Sequence, residues 1–591
     1  MRRIRFLVAG LIAATLAAPL SGQRGADLFD ASGEIVFDHY HTWQEVHAIM
    51  EALAHRFPEM TELYSIGQSY EGVELMLMEV TNEATGPASE KPAFYLDGGI
   101  HAAELTGSEV ALYALGRLLN GNEDGDPRIR ALLDTRAFYI RPKFNPDGSN
   151  LVLQTDHSLR STVHPIDEDF DGLFDEDPDE DLDGDGWITR MRAPNPGGSS
   201  CADPTDARIM LDRDEAPDGA QCYDVYGEGI DNDGDGRRGE DGFGGIDMNR
   251  NFPRNWERWH LQPGAGNFPL SEPETRAAVE FLDGHRNVAF IVHGHTSGGF
   301  VYRLPSASAP SLFDTTDLAL IDDLSRFYAE DTGRPIVPSA THPTEHRYGT
   351  LISFGYWDHG VVGWVPEYSP PPEAWVPDAN GDGEITESDW HAYNDGAFGG
   401  RYFSDWTSFD HPELGPVEIG GWHRKYWGQN PPAELLLAEV EAQFPWFLHL
   451  AERTPLVRTD DPIVTPLGGN RYRVRVTVRN EGDLATHLTQ RGHEGREGPD
   501  GRLVQQVVAP PVVTLRGEGI RVVEGGDGPA PGGRTTIEHL AGANGITTAV
   551  SERTRTVEWT VEATGEFSVA ATVEAQKGGT HRSGWVRGGG D

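Results

Sequence analysis

The sequence predicts an α/β domain with a buried central sheet, followed by a C-terminal β-sandwich. Three runs of apolar and aromatic residues, at 93–96, 137–140 and 289–292, have the composition of strands that are buried on both faces of a sheet. Segments with helical spacing lie between them, which favours a sheet covered by helices. After residue 470 apolar and polar residues alternate, and this change indicates a separate β domain.

The elements of the first domain can be followed in chain order. Thr42 and Glu45 form a capping box, and apolar residues then repeat at helical spacing, so a helix begins here. Residues 75–80 have the pattern of a strand. Further helices are predicted for residues 108–119, 271–282 and 432–452.

The second domain is predicted over residues 455–591. Apolar residues alternate with polar ones at 472–478, and the same period of two returns at 557–561 and 567–573. Short alternating strands with Gly/Pro-rich turns are typical of an immunoglobulin-like β-sandwich. The segment contains no recognisable catalytic pattern, so we expect an accessory domain.

The N-terminus predicts export. Residues 1–23 combine Arg2, Arg3 and Arg5 with an apolar run and then small residues, which is the pattern of a secretory signal peptide. The apolar run is too short to span a bilayer comfortably, although an N-terminal membrane anchor is the competing interpretation. We therefore expect a secreted or periplasmic mature protein without a membrane span.

The cysteines and the net charge limit the chemistry further. Cys201 and Cys222 are the two cysteines of the chain, and in an exported protein we expect them to form one local disulfide. The formal net charge of -46 argues against nucleic acid and anionic lipid as partners, because a polyanion would be repelled. No pattern in the sequence indicates an oligomeric state.

Part of the negative charge lies in Asp/Gly-rich segments that resemble calcium loops. These segments fall in two insertions, at about residues 161–245 and 370–415. Positions 1, 3 and 5 of a calcium loop supply oxygen ligands, and glycine follows at position 6. The matching residues are Asp181, Asp183 and Asp185; Asp231, Asp233 and Asp235; and Asp378, Asn380 and Asp382, with Asp389 at position 12 of the last loop. We expect calcium to order the insertions, and the alternative is a solvated acidic loop without a tightly bound ion.

A histidine three residues before a glutamate can offer a nitrogen and a carboxylate to zinc from one side of a turn. This pattern occurs at His101/Glu104, His342/Glu345 and His449/Glu452. The second pair lies in a proline-containing segment and the third on an amphipathic helix, where a surface pair is the better interpretation. The first pair follows a predicted strand and a Gly-Gly turn, at the strand end where α/β sheets bind ligands. This context selects His101 and Glu104 as a candidate metal site.

Seven motifs in a fixed order relate the sequence to a known family. They are SIGQSYEG (65–72), GGIHAAE (98–104), NPDG (145–148), DMNRNF (247–252), EPET (272–275), HTSGG (295–299) and VPEY (365–368). In these motifs the sequence resembles the zinc metallocarboxypeptidases of the carboxypeptidase A/B type, over about residues 42–450. The resemblance implies a mixed central sheet flanked by helices, in a catalytic domain over residues 24–454 that contains both acidic insertions.

The resemblance also implies a metal centre. Carried over by position, His101, Glu104 and His295 are the ligands of one zinc ion, and a fourth position is left for water. Three protein ligands and an open position are the arrangement of a catalytic zinc site. His293 is the competing third ligand because it belongs to the same predicted strand. The Thr-Ser-Gly-Gly sequence after His295 matches the family pattern better, so His295 is preferred.

Two further residues acquire catalytic roles from the resemblance. Glu367 matches the general base that takes a proton from the attacking water, and an apolar surround is expected to raise its pKa toward the working range. Arg160 lies 12 residues after Gly148, where the family keeps an arginine that stabilises the oxyanion.

Substrate-binding roles follow in the same way. Asn249 and Arg250 match the pair that binds the terminal carboxylate of the substrate, and the planar guanidinium group of arginine suits that contact. Tyr348 resembles the mobile tyrosine that closes over bound substrate, and Tyr356 lies near enough in sequence to compete for this role.

These residues favour a secreted zinc carboxypeptidase that hydrolyses the last peptide bond of a peptide or protein. An amide or peptidoglycan stem-peptide hydrolase on the same fold is the neighbouring hypothesis. A third hypothesis is a calcium-dependent extracellular binding protein whose catalytic fold is vestigial. The complete set of His101, Glu104, His295 and Glu367 argues against it.

Overall fold

The computed structural model describes residues 2–3, 28–167, 171–305, 312–339, 347–497, 503–525, 533–543 and 552–589. The predicted signal peptide lies outside these residues, except for the backbone of Arg2 and Arg3, which pairs with an edge strand. Within the described ranges, no helix is long and apolar enough to cross a membrane.

The described helices and strands are numbered in chain order. The α-helices are α1 (Trp43–Arg56), α2 (Leu105–Asp124), α3 (Pro127–Thr135), α4 (Pro146–Gln154), α5 (Pro273–Gly284), α6 (Thr315–Thr332), α7 (Leu351–His359), α8 (Glu387–Phe398), α9 (Ala433–Glu452) and α10 (Gln490–His493). The first strands are β1 (Arg2–Arg3), β2 (Thr61–Gln68), β3 (Glu74–Val80), β4 (Ala93–Gly98), β5 (Ala137–Arg141), β6 (Arg190–Pro194), β7 (Ser200–Ala202), β8 (Met210–Asp212), β9 (Cys222–Gly227), β10 (Val288–Thr296), β11 (Phe300–Arg303), β12 (Ile336–Pro338) and β13 (Val362–Tyr368). The later strands are β14 (Phe403–His411), β15 (Gly415–Trp422), β16 (Val457–Thr459), β17 (Ile463–Gly468), β18 (Arg471–Asn480), β19 (Gly495–Glu497), β20 (Leu503–Gln506), β21 (Val512–Glu524), β22 (Arg534–Thr536), β23 (Thr554–Ala575), β24 (Gly579–Arg582) and β25 (Val586–Gly588).

The first domain is built on a mixed sheet with the strand order β1-β2-β3-β5-β4-β10-β13-β11-β12. The centre is parallel, since β4 pairs in parallel with β5 and β10, and β10 with β13. The β2–β3, β3–β5 and β11–β13 pairs are antiparallel. The three predicted apolar runs form β4, β5 and β10, which are buried along their whole length. The predicted mixed α/β fold is confirmed.

The predicted helices are present around this sheet. In α1 both hydrogen bonds of the capping box between Thr42 and Glu45 form. Helix α2 begins directly after Glu104, three residues before the predicted start, and α5 and α9 lie within two residues of their predicted bounds. The apolar faces of α2 and α9 pack into the same core as the central strands, so the sheet is enclosed.

The two acidic insertions do not remain separate loops. Strands β6–β9 of the first insertion and β14 and β15 of the second form one sheet with the order β14-β15-β6-β9-β7-β8. The two segments join where Ile419 pairs with Met191, and these residues and Val417 form a small apolar cluster. A disulfide links Cys201 in β7 to Cys222 in β9. This sheet, its connecting turns and α8 are called the insertion layer below.

The C-terminal region is an antiparallel β structure with the strand path β16-β18-β23-β21-β22 and three further strands paired to it. Val474, Val476 and Val478 alternate with polar residues along β18 and are completely buried, as the period of two predicts. Trp559 and Val561 on β23 belong to the same apolar core. The antiparallel arrangement agrees with the predicted β-sandwich class.

Candidate metal centre

The candidate metal centre lies at the carboxyl ends of the central parallel strands. His101 follows β4 after a turn at Gly99, whose φ of +71° is a left-handed conformation that glycine adopts without strain. His295 lies near the end of β10, and Glu367 lies opposite it on β13. Because these strands are parallel neighbours, residues that are far apart in sequence converge at one edge of the sheet.

Three side chains meet closely at this edge. The Nδ1 atoms of His101 and His295 are 3.1 Å apart, and each lies 2.7–2.8 Å from a carboxylate oxygen of Glu104. All three side chains are at most 7 % exposed. Two imidazole nitrogens and a carboxylate at these separations form a donor set that suits zinc.

The protonation states of these groups are compatible with metal binding. Burial, with a smaller contribution from the neighbouring His101, lowers the pKa of His295 to about 3 although Glu104 opposes the shift, so His295 is neutral at pH 7. Burial alone would raise the pKa of Glu104, but His101 and His295 bring it well below its ordinary value. A neutral imidazole and an ionised carboxylate are the forms that bind a metal ion.

Three glycines allow the backbone to come close enough for this geometry. A Cβ atom on Gly98 of β4 would lie 2.0 Å from the carbonyl oxygen of Gly107 in α2. A Cβ atom on Gly107 would lie 2.7 Å from the carbonyl oxygen of Gly294 in β10. Helix α2 therefore rests directly on the two strands that lead to His101 and His295, and any side chain at these positions would separate them.

Asp247 orients the centre from one side, and the sequence did not identify it. Its carboxylate contacts Nε2 of His101 at 2.9 Å and accepts a hydrogen bond from Nε of Arg160 at 3.0 Å. It also accepts the amide N–H of Asn249 at 2.8 Å. A carboxylate on the second ring nitrogen directs the Nδ1 lone pair of His101 to the centre. Asp247 is the first residue of the DMNRNF motif, and this motif is the signal that could have identified it. No predicted strand ends at Asp247, so its position in the sequence did not link it to the metal centre.

Arg160 is held beside the centre by Asp247 and Glu104. Its Nη1 donates to Oε1 of Glu104 at 3.2 Å, and the side chain is 53 % exposed. The backbone places it, since the carbonyl oxygens of Leu159 and Arg160 accept the N–H groups of Ala103 and Ala102. The guanidinium group can therefore reach both the centre and the open space next to it.

A cavity of about 450 Å³ opens at the centre. It is bordered by His101, Glu104 and His295, and by Arg160, Asn249, Arg250, Arg347, Ile352 and Glu367. Burial and the negative charge of Glu104 raise the pKa of Glu367 well above its ordinary value, against the opposing effect of nearby arginines. A carboxyl group with a raised pKa next to a metal site is suited to proton transfer near neutral pH.

The family model for zinc carboxypeptidases matches residues 46–352, more than half of the 591-residue chain, and this range contains His101, Glu104 and His295. The chain belongs to the zinc carboxypeptidase family. A second model, a domain of unknown function (DUF8731), matches residues 456–584.

Relatives within the zinc carboxypeptidase family resemble only part of the chain. Carboxypeptidase E of Caenorhabditis elegans is 32% identical over 179 residues, which is 28% of this chain and 37% of that protein. Zinc carboxypeptidase A 1 of Anopheles gambiae is 33% identical over 132 residues, which is 22% of this chain and 29% of that protein. The chain thus matches about a third of the length of these relatives.

Solved structures resemble this zinc carboxypeptidase family member more broadly but with lower identity. Bovine thrombin-activatable fibrinolysis inhibitor, in complex with tick carboxypeptidase inhibitor, aligns with 70% of this chain and 97% of its own, at 16% identity and a TM-score of 0.41. The carboxypeptidase A of Helicoverpa armigera covers 62% of this chain at 18% identity and a TM-score of 0.39.

The competing candidate ligands have other partners. His293 points from the same face of β10 as His295, because the two are separated by one strand period, but its Nδ1 contacts Oδ1 of Asp97 at 2.5 Å. His449 pairs with Asp331, while Glu452 accepts hydrogen bonds from Arg128. His342 and Glu345 lie outside the described residues.

The predicted substrate residues are only partly brought together. Asn249 and Arg250 border the cavity of the centre. Tyr348 does not border it, and its backbone N–H donates to Gln262 at 3.1 Å. Tyr356 is buried, and its hydroxyl donates to Asp317 at 2.7 Å. Arg347, directly before Tyr348, borders the cavity instead, and no sequence motif pointed to it.

The Asp/Gly-rich loops share one backbone conformation. In the three loops, the first aspartate accepts backbone N–H groups from the residues three and five positions later, at 2.6–2.9 Å. The remaining predicted oxygen donors of these loops, other than Asp389, accept N–H groups from the residue two positions later. Asp389 caps α8 through the N–H of Thr386 and also accepts the N–H of Ala379.

Proposed function

We propose that this protein is an exported zinc-dependent carboxypeptidase that hydrolyses the C-terminal peptide bond of peptides or proteins. The observation that carries the proposal is the convergence of His101, Glu104 and His295 beside a cavity that also contains Glu367 and Arg250. Family membership supports the reaction class. The individual residue roles are our own assignment.

His101, Glu104 and His295 would hold the metal. Their donor atoms already lie 2.7–3.1 Å from one another, and the neutral His295 and ionised Glu104 need no change of protonation to bind it. Zinc at such a site acts as a Lewis acid, which polarises a carbonyl group and makes water more acidic. Asp247 keeps His101 in the tautomer that this requires.

Glu367 and Arg160 would serve the reaction itself. The raised pKa of Glu367 fits a group that takes a proton from water and returns it to the leaving amine. Arg160 remains protonated because Asp247 and Glu104 stabilise its charge, so it can bind the negative charge that develops on the carbonyl oxygen.

Arg250 and Asn249 would make the enzyme act at chain ends. Both border the cavity within reach of a substrate held at the centre, and Arg250 is 8% exposed. A guanidinium group in such a buried site can bind a carboxylate through two charge-assisted hydrogen bonds. A free C-terminus supplies that carboxylate, whereas an internal peptide segment does not.

The experiment compares N-blocked dipeptides that carry a free or an amidated C-terminus. Wild-type protein should cleave the free acid. Arg250→Ala should lower kcat/KM for this substrate roughly 10- to 100-fold, because hydrogen bonds to a charged group contribute about 1.5–3 kcal/mol. Arg128→Ala is the matched control, because Arg128 pairs with Glu452 on the surface. Equal cleavage of the amidated substrate would instead favour an amide hydrolase.

We also propose that the Asp/Gly-rich loops bind structural calcium. The shared conformation of the three loops presents carboxylate and amide oxygens at spacings that calcium loops use, which supports this assignment. Calcium titration of metal-free protein should raise the melting temperature, and Asp378→Asn should weaken the response. No change in melting temperature up to millimolar calcium would contradict it.

Export is the remaining part of the proposal, and it depends on residues 1–23. N-terminal sequencing of protein recovered outside the cytoplasm should give a start near residue 24. Recovery of the intact N-terminus in a membrane fraction would favour the membrane-anchor alternative.

A further inference from the structure

A second and larger cavity, of about 890 Å³, lies between the insertion layer and the sheet domain. Arg160 borders this cavity and also the 450 Å³ cavity of the metal centre. Arg160 is therefore part of the wall of both spaces. Cavities of this size are at the upper end of the range that organic ligands occupy in proteins.

Aromatic rings form much of the wall of the larger cavity. Trp187 stacks on His423 with ring centroids 4.0 Å apart, and Trp422 stacks on Trp427 at 4.4 Å. Trp406 borders the same space. Trp187 belongs to the first insertion and Trp406 to the second, so the wall exists only because the two insertions form one sheet.

The charges of the wall do not select a charged ligand. Basic and acidic side chains border the larger cavity in equal number. The partly exposed indole rings of Trp187, Trp406 and Trp422 offer apolar surface, which favours aromatic and aliphatic side chains. The chemistry of the wall thus fits a peptide with apolar side chains better than an acidic or basic one.

The direction of the substrate follows from the two cavities and rests on the proposed function. With the terminal carboxylate at Arg250, the C-terminal residue occupies the smaller cavity and the scissile carbonyl lies beside Arg160. The substrate on the N-terminal side of that bond must then pass Arg160. The larger cavity begins there.

We propose that the larger cavity is an extended subsite for the substrate residues on the N-terminal side of the scissile bond, with a preference for aromatic and aliphatic side chains. The enzyme then cleaves peptides of several residues with a higher kcat/KM than blocked dipeptides. The insertions, which carry much of the acidic charge of the chain, serve substrate selection through the aromatic wall that they build.

The first test uses wild-type protein and N-blocked peptides of two, four and six residues with the same C-terminal dipeptide. With phenylalanine upstream, kcat/KM should rise roughly tenfold or more with length, as expected for burial of one or two apolar side chains, and aspartate upstream should give a smaller rise. Equal kcat/KM at every length overturns the subsite but leaves the carboxypeptidase activity in place. Failure to cleave any of the peptides overturns the proposed function as well.

The second test compares two tryptophan variants. Trp187→Ala removes part of the wall and should lower the ratio of hexapeptide to dipeptide kcat/KM by roughly tenfold. Trp585→Ala is the matched control, because Trp585 is 55% exposed in the C-terminal domain and does not border the cavity. The ratio is taken within each variant, so a partial loss of folded protein cancels. A wild-type ratio in Trp187→Ala overturns the proposal.

Discussion

Arg160 borders both the cavity of the candidate metal centre and the cavity beside the insertion layer, but different interactions hold these two regions in place. The centre stands on β4, β10 and β13, which are almost completely buried in the main apolar core. The insertion layer has only small apolar clusters, together with exposed aspartate turns and one disulfide. Burial thus fixes the geometry of the candidate ligands, whereas the insertion layer depends on local polar turns and a covalent link.

A large effect is expected at the proposed third metal ligand. His295→Ala should weaken zinc binding by more than about 100-fold. Losing a residue that only hydrogen-bonds to a metal ligand costs roughly 10- to 100-fold in affinity, and losing the ligand itself should cost more. His293→Gln is the control, because its amide can still donate to Asp97. Zinc titration with a competing chelator measures both variants. A greater loss of zinc affinity in His293→Gln than in His295→Ala would mean that His293 is the third ligand.

The disulfide is expected to affect the stability of the insertion layer. The bond closes a loop with a sequence separation of 21 in the insertion layer, so replacing both cysteines with serine should cost the layer about 3 kcal/mol of unfolding free energy. Hydrogen exchange should accelerate in β7 and β9 and stay unchanged in β4. Equal acceleration in all three strands would mean that the layer and the core unfold as one unit.

The smallest effects are expected for two glycines on helices, where substitution by alanine should change the free energy of unfolding in opposite directions. Gly107→Ala forces α2 away from β10 and should lower the free energy of unfolding by about 1–3 kcal/mol. Gly396→Ala, in the exposed part of α8, meets no atom within 4 Å and should raise it by about 0.5–1 kcal/mol. Chemical denaturation of each variant provides the values. A stabilised Gly107→Ala protein would refute the close packing that we describe.

The sequence predicted the sheet domain well because its signals are local. Runs of consecutive apolar residues became β4, β5 and β10, and the capping box at Thr42 began α1. The convergence of His101 with His295 also followed, because parallel strands end at one edge of a sheet. The antiparallel C-terminal strands carried an equally clear period of two.

The insertion layer was not predictable in the same way. Its strands are short, and the pairing of Met191 with Ile419 joins segments that are far apart in the chain. Only the folded structure brings Trp187 and Trp406 to one cavity. Asp247 was missed because its role depends on a contact with His101, 146 residues away, and not on its neighbours in sequence.

The most direct test of the account is the zinc content and peptidase activity of Glu367→Gln. We expect one zinc ion per chain, as in the wild type, and a kcat/KM that is 10²- to 10⁴-fold lower on a blocked peptide with a free C-terminus, which is about the worth of a general base. Near-wild-type activity with zinc bound would contradict the role of Glu367 and the mechanism built on it.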